Sequence, residues 1–255
     1  MRRASLILAR LAVIPVIVAL WQLLAWAAGG HNYLLPGPVP VAVMWLDHWD
    51  TILEQAKVTF VEIGIGLVLG SLLGGLSALG MAASPSLRRI MLPVLVASQA
   101  VPVFALAPVL VLWLGYGLAS KIAMSVVIIY FPVSAAFLDG LRRTDPGWIE
   151  LARTMNARPA MLLLRLRLPS ALPALASGLR VATAVAPIGA IIGEWVGSSA
   201  GLGFMMLQAN ARMQIPLLFA ALVTLAVFAV TLYLIVDRLL RLLVPWQAET
   251  LPTDF

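Results

Sequence analysis

Six stretches of roughly twenty residues, each with at most one charged side chain, leave this chain almost no freedom in choosing its solvent. They run at about 9–28, 58–80, 90–114, 121–138, 169–193 and 216–236. A run of about 20 apolar residues matches the hydrocarbon thickness of a bilayer. Of the 255 residues, 62% are hydrophobic and 11% charged, against about 45–50% and 25% in soluble domains. A water-soluble globule of this size has too little interior for so many apolar side chains. Lipid is the missing solvent.

In lipid every backbone amide needs a partner inside the protein, so only helices and closed barrels span. Barrel strands are about 10 residues long and alternate in polarity. These runs are twice as long and apolar all round, so the expectation is six transmembrane helices. The first run follows Met1-Arg2-Arg3 and continues uncharged from Leu11 to Gly30 without a small-x-small cleavage site. That reads as an uncleaved span rather than a signal peptide.

Arginines set the expected sidedness. With an intracellular N-terminus, one side receives Arg2, Arg3, Arg10, Arg88, Arg89, Arg142, Arg143, Arg153, Arg158, Arg165, Arg167, Arg238 and Arg241. The other receives Lys57, Lys121 and Arg212, and Arg180 stays within a span. This asymmetry obeys the positive-inside rule and returns the C-terminus to the cytoplasm. It accounts for the net charge of +6 without nucleic acid as a partner. There are no cysteines, which excludes disulfides, thiolate metal sites and cysteine nucleophiles. His31 and His48 fall in the polar loop 31–57.

Gly66, Gly70, Gly74 and Ala78 repeat every four residues along the second span. Small residues in this register admit a neighbouring helix, within the subunit or from a second copy. Between the fourth and fifth spans lies a loop of about 30 residues, too long to lack structure of its own. Asp145-Pro146 predicts an N-cap and first-turn proline. A short helix Gly147–Met155 follows, stopped by Asn156 in the left-handed conformation. Pro159 opens a second helix, Ala160–Arg167, before Leu168-Pro169 turns into the membrane.

Glu150-Leu151-Ala152-Arg153-Thr154-Met155-Asn156-Ala157, with Leu168-Pro169 eleven residues on, resembles the EAA motif of permease subunits in binding-protein-dependent ABC importers. Leu151 and Asn156 stand where the motif usually has alanine and glycine; Asn156 tolerates the same left-handed turn. The segments Ser98-Gln99-Ala100-Val101-Pro102 through Leu112-Trp113-Leu114-Gly115, and Gly193-Glu194-Trp195 through Gly201-Leu202-Gly203, are similar to one branch of that family. The branch includes permeases for nitrate, taurine, aliphatic sulfonates and pyrimidine precursors of thiamine. The resemblance covers roughly residues 55–245.

It implies an all-α membrane protein of the type I importer (MetI-like) fold in the bacterial inner membrane, with both termini cytoplasmic. Residues 1–57 would hold the first helix and an external loop. Residues 58–245 would form the permease core of five helices, with cytoplasmic coupling helices at 146–167, and 246–255 a cytoplasmic tail. The implied partners are a cytoplasmic ABC ATPase dimer, a periplasmic substrate-binding protein and a second permease copy, most simply an identical one. Glu150, Ala152, Arg153, Asn156, Ala157 and Arg158 would couple to the ATPase. ATP and Mg would bind to that partner: no lysine here stands in the Gly-Lys-Ser or Gly-Lys-Thr of a phosphate loop. The chain is expected to be a transport subunit without cofactors or catalytic residues of its own.

Ionisable groups in spans mark partners or wet cavities. Glu62 reads either as a helix-terminal or ion-paired carboxylate or as a lining of the translocation path. Where sulfonate and taurine members carry arginine, this chain has Glu62. Ser98 and Gln99 are a second candidate pathway element, or satisfy backbone broken by Pro102. Glu194 and Trp195, with Gly197, Gly201 and Gly203, form a candidate outer gate or a plain loop. Trp113, Trp195 and Trp246 read as an interfacial belt, and Met205, Met206 and Met213 as packing. The expected solute is a thiamine pyrimidine precursor of the hydroxymethylpyrimidine type. Aliphatic sulfonate, taurine, nitrate or riboflavin are the alternatives within the class, and a channel uncoupled from ATP is the alternative outside it. An intramembrane enzyme finds no clustered catalytic groups in this sequence.

Overall fold

The computed structural model describes residues 2–29 and 34–247, with side chains from Val13 onward. His31 and tail residues 248–255 lie outside the described residues. Helices account for every regular element described: α1 (Arg2–Ala27), α2 (Pro38–Asp47), α3 (Trp49–Ala83), α4 (Pro85–Ser98), α5 (Val103–Leu114), α6 (Leu118–Arg142), α7 (Pro146–Thr154), α8 (Pro159–Met161), a π-helical stretch (Leu162–Arg167), α9 (Leu168–Gly197), α10 (Leu202–Ala211) and α11 (Ile215–Leu243).

Four unbroken helical runs are long and apolar enough to cross a membrane: 49–83, 118–142, 159–197 and 215–243. The α4–α5 pair qualifies jointly, although its halves meet at 107°. The 26 residues of α1 reach about 39 Å at 1.5 Å per residue.

The expected straight third span is therefore broken. The last amides of α4 bond back three residues instead of four, Gln99 N to Val96 O (3.1 Å) and Ala100 N to Ala97 O (3.0 Å). Pro102, which has no amide proton to continue the ladder, caps α5.

The chain divides into two compact units, Met1–Val58 with Ala200–Ala226, and Thr59–Ser199 with Val227–Phe255. In the first, the Trp21 indole donates to Pro36 O (3.0 Å) and stacks on Phe219 at 6.3 Å. Trp45 donates to Thr224 Oγ1 (3.0 Å). Much of the expected external loop is helical. Asp50, Glu54 and Lys57 lie on an exposed face of α3, while Ile52 and Ala56 are buried on the other. That is a helical period rather than a loop, and α3 starts nine residues before the first residue of the expected span.

In the second unit the glycine stripe of α3 packs within the subunit. A Cβ on Gly70 would lie 2.7 Å from Ile129 Cγ2, and one on Gly74 2.9 Å from Tyr130 O, while Gly66 abuts Ser125. The paired residue numbers rise together, so α3 and α6 run parallel. Along α9 they run oppositely: an added Cβ would lie 2.8 Å from Pro132 O at Gly178, 2.8 Å from Ser125 Cα at Gly189 and 3.0 Å from Lys121 Cα at Gly193. Parallel α3 and α6 require the intervening chain to return from the end of α3 to the level of Glu62, which Lys121 meets. Leu95 packs with Ala78, Leu138 and Leu141 at one end, and Val111 meets Gly197 near Ser120 at the other. The α4–α5 pair is thus a broken span that connects these two levels.

The expected turn at Leu168-Pro169 is absent. Helix runs without interruption from Pro159 to Gly197, and the widened π turn at Leu162–Arg167 ends just before Pro169. A proline ring clashes with the carbonyl four residues earlier; widening the turn ahead of it lets the helix continue.

Candidate functional site

Two constellations hold the candidate residues. The first lies inside the second unit, where α3, the first turn of α6 and the last turn of α9 converge. Glu62 and Glu194 have no exposed surface, and Lys121 retains 3%. Lys121 Nζ forms an ion pair with Glu62 Oε1 and donates to Ser198 Oγ at 3.0 Å. Thr59, one turn before Glu62, donates from Oγ1 to Glu194 Oε1 at 2.6 Å.

Lys121, expected as a topological charge on the outer side, is buried and paired with Glu62. A lysine in the first turn of a helix opposes the helix dipole; its place here is set by Glu62 across the interface. The signal was present in the sequence as two opposite charges, each near the start of a span. A buried charge is tolerable only when paired and hydrogen-bonded; Lys121 supplies the pairing, while Glu62 Oε2 has no hydrogen-bond partner among the described residues.

Glu62 and Glu194 are therefore brought together. Trp195 is not part of the group: it points outward and is half exposed. Ser98 and Gln99 sit elsewhere, exposed at the α4–α5 break. Ser98 Oγ donates to Leu95 O (2.8 Å), and Gln99 Nε2 makes a long contact to Ser98 Oγ (3.5 Å). Arg180, the other cation within a span, donates to Asp237 Oδ1 at 2.6 Å, while Arg241 takes Asp237 Oδ2 at 2.9 Å.

The second constellation is the finger between α6 and α9. Asp145 Oδ1 accepts from Gly147 N at 2.7 Å and caps α7, with Pro146 in its first turn. At the other end Asn156 adopts φ 57°. Ala157 N bonds to Ala152 O (3.0 Å) and Asn156 N to Arg153 O (2.9 Å), the paired bonds of a Schellman cap.

None of the residues of α7 is buried. Trp148, Leu151 and Met155, spaced three and four apart on one helical face, are 61%, 53% and 76% exposed. Glu150, Arg153 and Arg158 are exposed beside them, and Ala152 and Ala157 are half-buried. Met205 and Met206 are buried in the first unit and Met213 is exposed. Among the described residues no group of His, Cys, Asp or Glu is placed to hold a metal.

Long apolar helices, a broken span and charges buried in pairs define a multi-pass integral membrane protein. The chain belongs to the family of binding-protein-dependent transport system inner membrane components, whose model matches residues 66–249. It is 52% identical over 231 residues to a probable ABC transporter permease of Haemophilus influenzae, covering 91% of this chain and 94% of that one. It is 35% identical to the formylaminopyrimidine transport permease ThiX of Halalkalibacterium halodurans, covering 92% and 94%. It is 34% identical to the riboflavin permease RibX of Chloroflexus aurantiacus, covering 92% and 88%. The fold is similar to that of the inward-facing MetNI methionine ABC transporter, with TM-score 0.59 and 22% identity over 80% of this chain and 97% of that one. The protein is a transport subunit of an ABC system in the inner membrane, and its family implies ATPase and substrate-binding partners.

Proposed function

We propose that this chain is the permease of an ATP-driven importer for a thiamine pyrimidine precursor, working as a homodimer with two cytoplasmic ATPase subunits and a periplasmic binding protein. The observation that carries the coupling role is the uncovered face of α7. A nine-residue helix that presents Trp148, Leu151 and Met155 outward is an unfilled contact, since exposed apolar patches mark interaction surfaces. The Asp145 and Asn156 caps fix its ends. Glu150, Arg153 and Arg158 flank the face with charge, and Ala152, Asn156 and Ala157 form its stop. ATP and Mg belong to the docked partner, whose motion α7 relays into the spans.

The solute assignment rests on charge as well as kinship. Both cations inside spans, Lys121 and Arg180, are neutralised within the chain. The Lys121 cluster also contains one more carboxyl group than ammonium. Neither of these two in-span cations is left over for a sulfonate or nitrate. Ser98 and Gln99, neutral donors and acceptors at the α4–α5 break, suit an uncharged heteroaromatic in the translocation path. Glu62 and Glu194 would then hold the outer part of the bundle together as a gate, with Trp195 on its rim. The relatives named for formylaminopyrimidine and riboflavin support a flat heterocycle.

Uptake of labelled hydroxymethylpyrimidine and its formylamino analogue, with and without this protein, tests the assignment. Uptake that depends on the protein and on ATP supports it. Unchanged uptake rejects the solute. Glu150→Lys tests coupling separately: an assembled, fully coupled complex would refute the docking role.

A further inference from the structure

A cavity of about 520 Å³ opens between the last residues of α3, the cap of α7 and the π-helical stretch. Its walls include Ala82, Ala83, Ala157 and Ala160, with Arg153 and Arg167 as the charged members. No acidic residue lines it. Arg167 lines the cavity, and its Nε is itself buried without a hydrogen-bond partner among the described residues. A buried donor on a charged group left without an acceptor costs more than the about 1–3 kcal/mol of a neutral one, and an anion beside the same guanidinium offsets part of that cost.

Two guanidinium groups over small, mainly apolar walls specify the missing partner. The guanidinium fork matches tetrahedral oxyanions through two parallel N–H bonds. The volume exceeds that of a bare oxyanion and lies within the range of about 300–1,000 Å³ typical of ligand sites. Ala82 and Ala83 are the final residues of a membrane-length helix, the depth at which lipid headgroups lie. Basic pockets between spanning helices are built to receive such headgroups.

We propose that Arg153 and Arg167 form a binding site for a phosphate group, presented either by an anionic lipid headgroup or by free phosphate. Occupancy would tie the cap of α7 to the π-helical start of the run into α9. The proposal does not depend on the identity of the transported solute.

The test uses the full chain purified in neutral detergent, titrated with dioctanoyl phosphatidylglycerol, dioctanoylglycerol and inorganic phosphate, with tryptophan fluorescence as the readout. Saturable binding of phosphatidylglycerol but not of phosphate assigns the lipid; binding of phosphate alone assigns the free anion. Either must weaken at least about tenfold in Arg167→Gln. The same loss in Arg153→Gln, an exposed position, guards against misfolding of the first variant. Arg89→Gln, which does not line the cavity, must leave affinity unchanged. No saturable binding of either phosphate probe, dioctanoylglycerol binding as tightly as phosphatidylglycerol, or equal affinity in the wild type and both cavity variants overturns the proposal.

Discussion

Replacing Lys121 by methionine removes the ammonium from a cluster that has no exposure to water at Glu62 or Glu194. Methionine matches the length of the lysine stem, so the change deletes charge more than volume. What remains are two carboxyl groups, of which Glu194 accepts from Thr59 at 2.6 Å, and no cation. Breaking a buried pair from one side costs about 3–5 kcal/mol, because the surviving charge stays desolvated. At about 2–4 °C per kcal/mol for a chain of this size, the melting temperature falls by about 6–20 °C. Glu62→Gln alone strands the ammonium, which keeps Ser198 Oγ at 3.0 Å, and should sit at the lower end of that range. The double variant Lys121→Met/Glu62→Gln removes both charges and should recover at least half of the larger loss. Thermal unfolding in detergent of the four proteins closes the cycle. Losses that simply add, with coupling below about 0.5 kcal/mol, would refute a pair that matters to the fold.

Gly74→Ala drives a methyl into Tyr130 O at 2.9 Å and should cost about 1–3 kcal/mol. Gly75→Ala, with nothing within 4 Å, should be neutral or gain up to about 1 kcal/mol; melting of the pair checks both. Asn156→Gly preserves the left-handed cap of α7, whereas Asn156→Val costs about 1–2 kcal/mol there. The valine variant should therefore lose more solute-stimulated ATPase activity in the reconstituted transporter than the glycine variant. Met213 holds φ 57° with Gln214 N bonded to Ala209 O (2.8 Å), so Met213→Gly relieves strain and should raise stability by up to about 1 kcal/mol, read as a small rise in melting temperature.

The spans and the finger were legible because their causes are local. A run of membrane length with at most one charge announces α6, α9 and α11 without reference to neighbours. Asn156 announces a left-handed cap because few other side chains accept one. Met213 adopts the same conformation without any local signal: its cap is imposed by the bonds around Asn210 and Gln214. The early start of α3 is hidden because Asp50, Glu54 and Lys57 interrupt the apolar run, although they form one face of a helical period. The break in α4–α5 was half legible. Pro102 marks the site, but Pro108 and Pro132 lie inside continuous helices, so proline alone does not say where a span bends.

The partner of Glu62 was the harder problem. Lys121 lies 59 residues away, and the register that joins them is set by side chains that are missing. Gly193 lets the backbone of α9 approach Lys121 Cα to where a Cβ would stand 3.0 Å away, and Gly66 and Gly189 bring α3 and α9 against Ser125 from two sides. Without these approaches the last turn of α9 would stand off from the first turn of α6. Ser198 and Glu194 would then lose their reach into the cluster. In lipid no hydrophobic force draws helices together, so close contact must come from small residues and polar bonds. The glycines set the distance and the ion pair sets the register. A chain with either alone would hold three helices loosely, and a stripe of glycines should be read together with the nearest in-span charge to find its partner helix.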